Sequence, residues 1–123
     1  MGNSEEDVRK VVQHYIDGTY QGDVKALRDC FHPKAVMNGY LGDQLLVGGP
    51  EPFFENMENA PSSMAEAGAP YKAKIVSVEV VGNVASVTIK ETGFAGSMDF
   101  TDFFHLLKDQ GGWKIMSKTF TTE

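Results

Sequence analysis

Cysteine occurs once in this chain of 123 residues, at Cys30. A lone thiol excludes an intrachain disulfide and a zinc site built from cysteines. Arginine is confined to Arg9 and Arg28, both in helical stretches among charged neighbours. Basic residues are outnumbered 11 to 17 by acidic ones, giving a formal charge of −6. That balance repels phosphate backbones, so nucleic acid is not an expected partner. The lysines never form a run, which leaves no basic patch for a membrane surface. No apolar stretch approaches the length of a membrane span. Met1 to Glu6 lacks a basic segment followed by an apolar one, so no secretory leader is expected and a cytoplasmic location fits. No histidines are spaced as metal ligands, no glycine run matches a phosphate loop, and no serine sits in a nucleophile elbow. Neither a metal nor a cofactor is expected.

What is present suffices for one domain over residues 1–123, with 41% apolar residues for its core. Ser4 is placed to cap a first helix, and Glu5, Glu6 and Asp7 complement its dipole. Val8, Val11, Val12, Tyr15, Ile16 and Thr19 recur at helical spacing. Gly22 ends this helix; Asp23 caps a second that turns Leu27, Cys30 and Phe31 inward. His32-Pro33 stops it. Lys34 to Leu41 reads as a strand, Gly42-Asp43 as a turn and Gln44 to Val47 as a short return strand. Gly48-Gly49-Pro50 opens a third helix carrying Phe53, Phe54 and Met57. Ala60 to Pro70, rich in Ala, Ser and Pro, reads as a mobile loop.

The last third reads as a meander: Tyr71 to Val81, a Gly82-Asn83 turn, Val84 to Thr92, Met98 to Lys108, a turn, and Trp113 to Thr121. Helices first and strands last define an α+β class. Pairing Val81 with Val84, Glu91 with Met98 and Lys108 with Trp113 assigns the faces. Val76, Val78, Val80, Ala85, Val87, Ile89, Phe100, Phe104, Leu106, Trp113 and Ile115 then share the buried face with one central charge, Asp102. Lys74 and Glu91 pair at its edge. In this register Asp102 lies opposite Thr119, and Phe104 opposite Ser117. The outer face takes Ile75, Phe103, His105, Leu107, Met116, Lys118 and Phe120. It is too apolar for a purely solvated surface, and its expected use is a homodimer contact.

Two stretches carry a family resemblance. Tyr15-Ile16-Asp17-Gly18…Gly22-Asp23-Val24…Leu27…Cys30-Phe31-His32-Pro33-Lys34-Ala35 resembles the opening of nuclear transport factor 2-like proteins. Asp102-Phe103-Phe104 and Trp113-Lys114-Ile115…Lys118…Phe120 resemble the ending of their "putative lumazine-binding" group. The resemblance implies a cone-shaped, strongly curved antiparallel sheet wrapped around three N-terminal helices, the cystatin-like α+β roll. This fold hosts enzymes, transport factors and oligomerisation modules. Laid on the ketosteroid isomerase branch, Tyr15 and Asp102 fall on the oxyanion tyrosine and aspartate, and Gly39 falls on the catalytic base. Glycine cannot abstract a proton. The epoxide-hydrolase branch uses an Asp-Arg-Asp arrangement, for which no inward arginine is available.

Asp102 is either a ligand-facing acid kept neutral by an apolar wall or a structural acid bonded to Thr119, Ser117 or a backbone amide. Tyr15 either aims its phenol at a ligand or packs in the core, and the two can bond each other. The expected pocket comprises Tyr15, Phe31, Met37, Met57, Glu91, Phe100, Asp102, Phe104, Ser117 and Thr119, with Tyr15 and Asp102 as its polar end. One function is binding of a small apolar ligand without strong catalysis. A second is an isomerase, dehydratase or cyclase using Glu91 or His32 as base, and a third is an oligomerisation module without ligand. Solvent access to Asp102 distinguishes them.

Overall fold

A computed structural model describes residues 4–123; the expectation about the leader falls partly on Met1 to Asn3, outside the described residues. Helix α1 spans Ser4–Gln21, with Ser4 inside its first turn. Its buried stripe of Val8, Val12, Tyr15, Ile16 and Thr19 follows the helical period. Fully burying an apolar side chain of this size contributes about 1.5–3 kcal/mol. Gly22 ends α1 at φ +67°, a left-handed geometry that glycine adopts without strain. Asp23 caps α2 (Val24–Cys30), its carboxylate accepting from the Ala26 amide at 3.1 Å.

Strand β1 (Phe31–Leu41) starts ahead of Pro33 rather than at Lys34, and its pairing is interrupted between Phe31 and Val36. Proline has no N–H to give the ladder, so the strand runs through this point with its register broken. Strand β2 is Gln44–Leu46 and helix α3 is Glu51–Asn59. Arg28 donates to both carboxylate oxygens of Glu51 at 2.7 and 2.6 Å and lies 4.9 Å over the Phe54 ring, tying α2 to α3. The stretch expected as a loop contains a short helix, α4 (Met64–Ala67), started by a capping box: the Glu66 amide donates to Ser63 Oγ at 3.0 Å, and the Ser63 amide donates to Glu66 Oε1 at 2.9 Å.

Strands β3 (Lys72–Val81), β4 (Val84–Phe94), β5 (Met98–Asp109) and β6 (Gly112–Thr122) form the meander. The six strands are ordered β2-β1-β6-β5-β4-β3. The sheet is mixed rather than wholly antiparallel, because β1 and β6 run parallel. Hairpins force antiparallel neighbours, but these two strands are joined by most of the chain and escape that constraint. Helices α1 and α2 pack on the sheet's inner face, placing Val12, Tyr15 and Leu27 with Val87, Ile89, Phe104 and Ile115 in one core.

Three irregularities shift the expected registers. Between Ile75 and Ser77 a bulge takes up Val76, so Ile75 rather than Val76 pairs with Ile89, and Ala73 rather than Lys74 sits opposite Glu91. Strand β4 continues to Phe94, which pairs with Met98, so Glu91 lies opposite Phe100 and Ile89 opposite Asp102. That shift of two preserves every face. The third does not. Between His105 and Leu106 the β5–β6 register slips, and Met116 is the extra residue. Beyond it every side chain of β6 changes face. Phe104 pairs with Lys118 and Asp102 with Phe120; Ser117 and Thr119 turn away, and Lys118 is buried. The outer face thus loses Ile75, Lys118 and Phe120 to the interior side, retains Phe103 (53% exposed) and exposed His105, and keeps Leu107 half-buried.

Phe120 explains Gly39. The two residues pair across β1 and β6, and a Cβ on Gly39 would meet the Phe120 backbone oxygen and come within 2.6 Å of its ring. Gly39 is extended; contact, not a left-handed φ, demands glycine here. Overpacking of this kind costs about 1–3 kcal/mol. Gly39→Ala should lower stability by about that amount, read as a reduced urea midpoint at unchanged slope. An unchanged midpoint would contradict this packing.

Candidate functional site

A cavity of about 800 Å³ opens between α3, α4 and the inner face of the sheet. At its mouth lie Leu41, Leu46 and Val47, the last 76% exposed. Its walls include Met37, Phe53, Met57, Met64, Phe94, Met98, Phe100 and Phe120. Three of these methionines sit on β1, α3 and α4, where unbranched side chains fill irregular space and repack readily. At the closed end the wall carries Glu91 and Lys118, 2% and 7% exposed, the charged side chains that reach the cavity among the described residues.

The bulge at Met116 brings Lys118 here. Its ammonium donates to the Tyr15 hydroxyl at 2.6 Å and lies 3.9 Å from Asp102 Oδ2. Three rings face it, Phe53, Phe120 and Tyr15, with centroids 4.8, 5.1 and 5.2 Å away. Each ring face attracts a desolvated cation. Glu91 accepts a hydrogen bond from the Tyr71 hydroxyl on Oε2. Asp102, wholly buried, sits behind these two groups and is not part of the cavity wall. Written as a carboxylate, neither of its oxygens has a hydrogen-bond partner among the described residues.

A proton resolves that deficit. Burial pushes the Asp102 carboxyl up to about 8; Lys118 opposes the shift, while a hydrogen bond to Glu91 and the charge of Glu91 reinforce it. Two carboxyl groups can bond only through a shared proton, so neutral Asp102 donates to Glu91. The cluster then holds one anion, Glu91, and one cation, Lys118, and its buried charge balances. Burial raises Tyr15 far above the ordinary phenol range, with Glu91 and Asp102 adding to the effect, and Tyr71 is raised chiefly by burial and by Glu91. Both therefore remain hydroxyl groups.

Of the residues expected at a pocket, Met37, Met57, Glu91 and Phe100 line the cavity. Tyr15 and Asp102 stand one layer behind it, joined to it through Lys118 and Glu91. Phe31 and Phe104 are core residues, Phe31 packing edge-on against Tyr15 and Phe54. Ser117 and Thr119 leave the inner face through the bulge. His32 lies away from the cavity, its Nε2 3.3 Å from Asp109 Oδ2 and its Nδ1 accepting from the Lys34 amide at 3.0 Å, which removes it as a base for this site. Cys30 donates to the Ala26 carbonyl at 3.3 Å, and burial pushes its thiol up to about 12, away from thiolate chemistry. Lys118 is the site residue that sequence reasoning placed on the wrong face. The available signal was the parity break between Trp113-Ile115 and Phe120: apolar side chains switch from odd to even positions across Met116.

The fold, a cystatin-like α+β roll, is that of the nuclear transport factor 2-like proteins. The profile of the family described as "Putative lumazine-binding" matches residues 3–121, and the chain belongs to that family. It is similar to the aldolase FrzH of Cladobotryum sp, 26% identical over 106 residues, which span 86% of this chain and 81% of FrzH. An NTF2-like protein of Silicibacter pomeroyi DSS-3 is 30% identical, with full coverage of both chains and a TM-score of 0.85. An NTF2-like protein of Shewanella baltica OS155 is also 30% identical, with a TM-score of 0.83 over 96% of this chain and 92% of that one. No helix among the described residues is long and apolar enough to cross a membrane.

The raised Asp102 carboxyl makes stability depend on pH. Between the ordinary value of 3.8 and about 8, the folded protein holds a proton that the unfolded chain has lost. Stability contributed by this group is complete below pH 4, falls as pH rises, and levels off above pH 8. Asp102→Asn keeps a donor and cannot ionise. It should cost about 1 kcal/mol at pH 5 and nothing, or stabilise, at pH 9. Urea midpoints across that range measure both. A wild-type stability that rises between pH 5 and pH 8 through Asp102 would show an ionised, paired carboxylate instead.

Proposed function

We propose that the cavity takes a small, largely apolar carbonyl compound and that the chain catalyses proton transfer at the carbon beside its carbonyl group. The observation that carries this reading is that Lys118 and Glu91 both reach the wall of an otherwise mainly apolar cavity at its closed end. A ligand's hydrophobic body would lie against Phe53, Phe100 and Phe120, and its carbonyl group would turn towards the buried end. Lys118 polarises that carbonyl. The Glu91 carboxylate takes the adjacent proton; the C–H electron pair becomes a C=C bond, and the C=O π pair moves onto oxygen. Tyr71 and Asp102 hold the Glu91 carboxylate from behind, while Tyr15 and three aromatic faces hold Lys118. The resulting enolate equivalent can be reprotonated elsewhere, expel a leaving group or attack a second carbonyl. Isomerisation, elimination and aldol chemistry share this first step, and similarity to FrzH favours the last.

Gly39 supports a second reading, binding without turnover. The position that matches the base of ketosteroid isomerase is filled by the Phe120 ring, so a base must come from Glu91 or be absent. Lumazine, a flat bicyclic dione, suits the aromatic walls and is a natural binding probe given the family description.

Deuterium exchange beside the carbonyl of 4-phenylbutan-2-one, followed by proton NMR in D₂O, tests the catalytic reading. The wild-type chain should accelerate exchange, and Glu91→Gln should reduce the acceleration by about a hundred-fold or more. Saturable binding of this ketone or of lumazine with no acceleration would leave the binding reading and overturn the enzymatic one.

A further inference from the structure

We infer that Lys118 is a covalent catalytic residue, forming an imine with the carbonyl carbon of the bound compound. This rests on the reading of the cavity as a carbonyl site and states how the carbonyl is activated there.

Three observations carry it. The Lys118 amine is the nitrogen nucleophile on the cavity wall, on a residue only 7% exposed. Its bond to Tyr15 and the three surrounding rings fix the direction of an otherwise flexible side chain. Finally, its nearest carboxyl stands at 3.9 Å, too far for a direct hydrogen bond, so no carboxylate oxygen holds the amine away from a ligand.

The proton inventory closes. Once Lys118 Nζ swings in to close its 3.9 Å gap to Asp102 Oδ2, it passes a proton to Asp102 as Asp102 passes its own to Glu91, leaving a neutral amine and two neutral carboxyl groups. The nitrogen lone pair bonds to the carbonyl carbon, the C=O π pair moves to oxygen, and one nitrogen proton is transferred to that oxygen. The product is a carbinolamine. Glu91 then protonates the hydroxyl, the C–O pair departs with water, and the nitrogen lone pair completes the C=N bond of an iminium ion. Glu91 is again a carboxylate, positioned to take the adjacent proton and give an enamine. No oxidant or reductant enters.

Benzoylacetone, a flat 1,3-diketone, tests the step, because an amine converts it to a conjugated enaminone that absorbs in the near ultraviolet. The non-electrophilic alcohol 4-phenylbutan-2-ol serves as competitor. The expected result is one adduct, with the diketone's mass less one water, mapped by peptide mass spectrometry to Lys118. It should form at least about ten times faster than at exposed Lys25, slow in excess alcohol, and be absent from Lys118→Arg. Should that variant not fold, the adduct position and its suppression by alcohol in the wild-type chain still decide. Saturable binding of both probes without an adduct at Lys118 would overturn the imine and leave the carbonyl site standing. Labelling spread over surface lysines and untouched by alcohol would also overturn it. Binding of neither probe would overturn the carbonyl site together with the imine.

Discussion

A lysine ammonium inside the roll is the constraint around which the rest of the site is arranged. Isolated burial of such a charge costs several kcal/mol. Here the cost is offset by the Tyr15 hydroxyl at 2.6 Å, by three aromatic faces and by a nearby pair of carboxyl groups. Two carboxylates would overcompensate one cation. Asp102 therefore keeps its proton, which lets it bond Glu91, and Tyr71 supplies Glu91 with a second donor. The neutrality of one acid, the anionic state of the other and the fixed direction of the amine all follow from placing a single charge in an apolar interior.

Placement depends on one extra residue in β6. Without the bulge at Met116, strict alternation from Trp113 and Ile115 would send Lys118 and Phe120 outward and bring Ser117 and Thr119 in. The bulge exchanges a weakly polar inner face for one with an amine and an aromatic ring. It also puts the Phe120 ring over Gly39, so no side chain at that position of β1 can enter the cavity. On the proposed catalytic reading, the strand that supplies the cation thus also leaves β4 to supply the base.

Much of the architecture was legible. Asp23, Gly22 and the Gly82-Asn83 turn act through local chemistry, and the structure keeps these boundaries. The inner stripe from Val78 to Ile115 survived a two-residue error at the Glu91–Met98 connection, because an even slip preserves faces. The odd slip at Met116 did not forgive the same approach, and it hid Lys118, the most informative residue of the site. Helix α4 was announced by Ser63 and Glu66 and was obscured by the Ala, Ser and Pro around them. The partnership of Arg28 with Glu51 and the parallel pairing of β1 with β6 depend on long-range packing that no local pattern records. Tyr15 and Asp102 were recognisable as polar interior residues, but their place behind the cavity wall depends on Lys118 and could not be read without the bulge.

A crystal structure with 4-phenylbutan-2-one bound would test the central claim, that the closed end of the cavity receives a carbonyl group between Lys118 and Glu91. The account predicts the phenyl ring against Phe53, Phe100 and Phe120, the carbonyl carbon bonded to Lys118 Nζ or its oxygen hydrogen-bonded there, and the adjacent carbon facing the Glu91 carboxylate. A ketone seated the other way round, with its carbonyl at the Leu46 and Val47 mouth and its ring against Lys118, would contradict it.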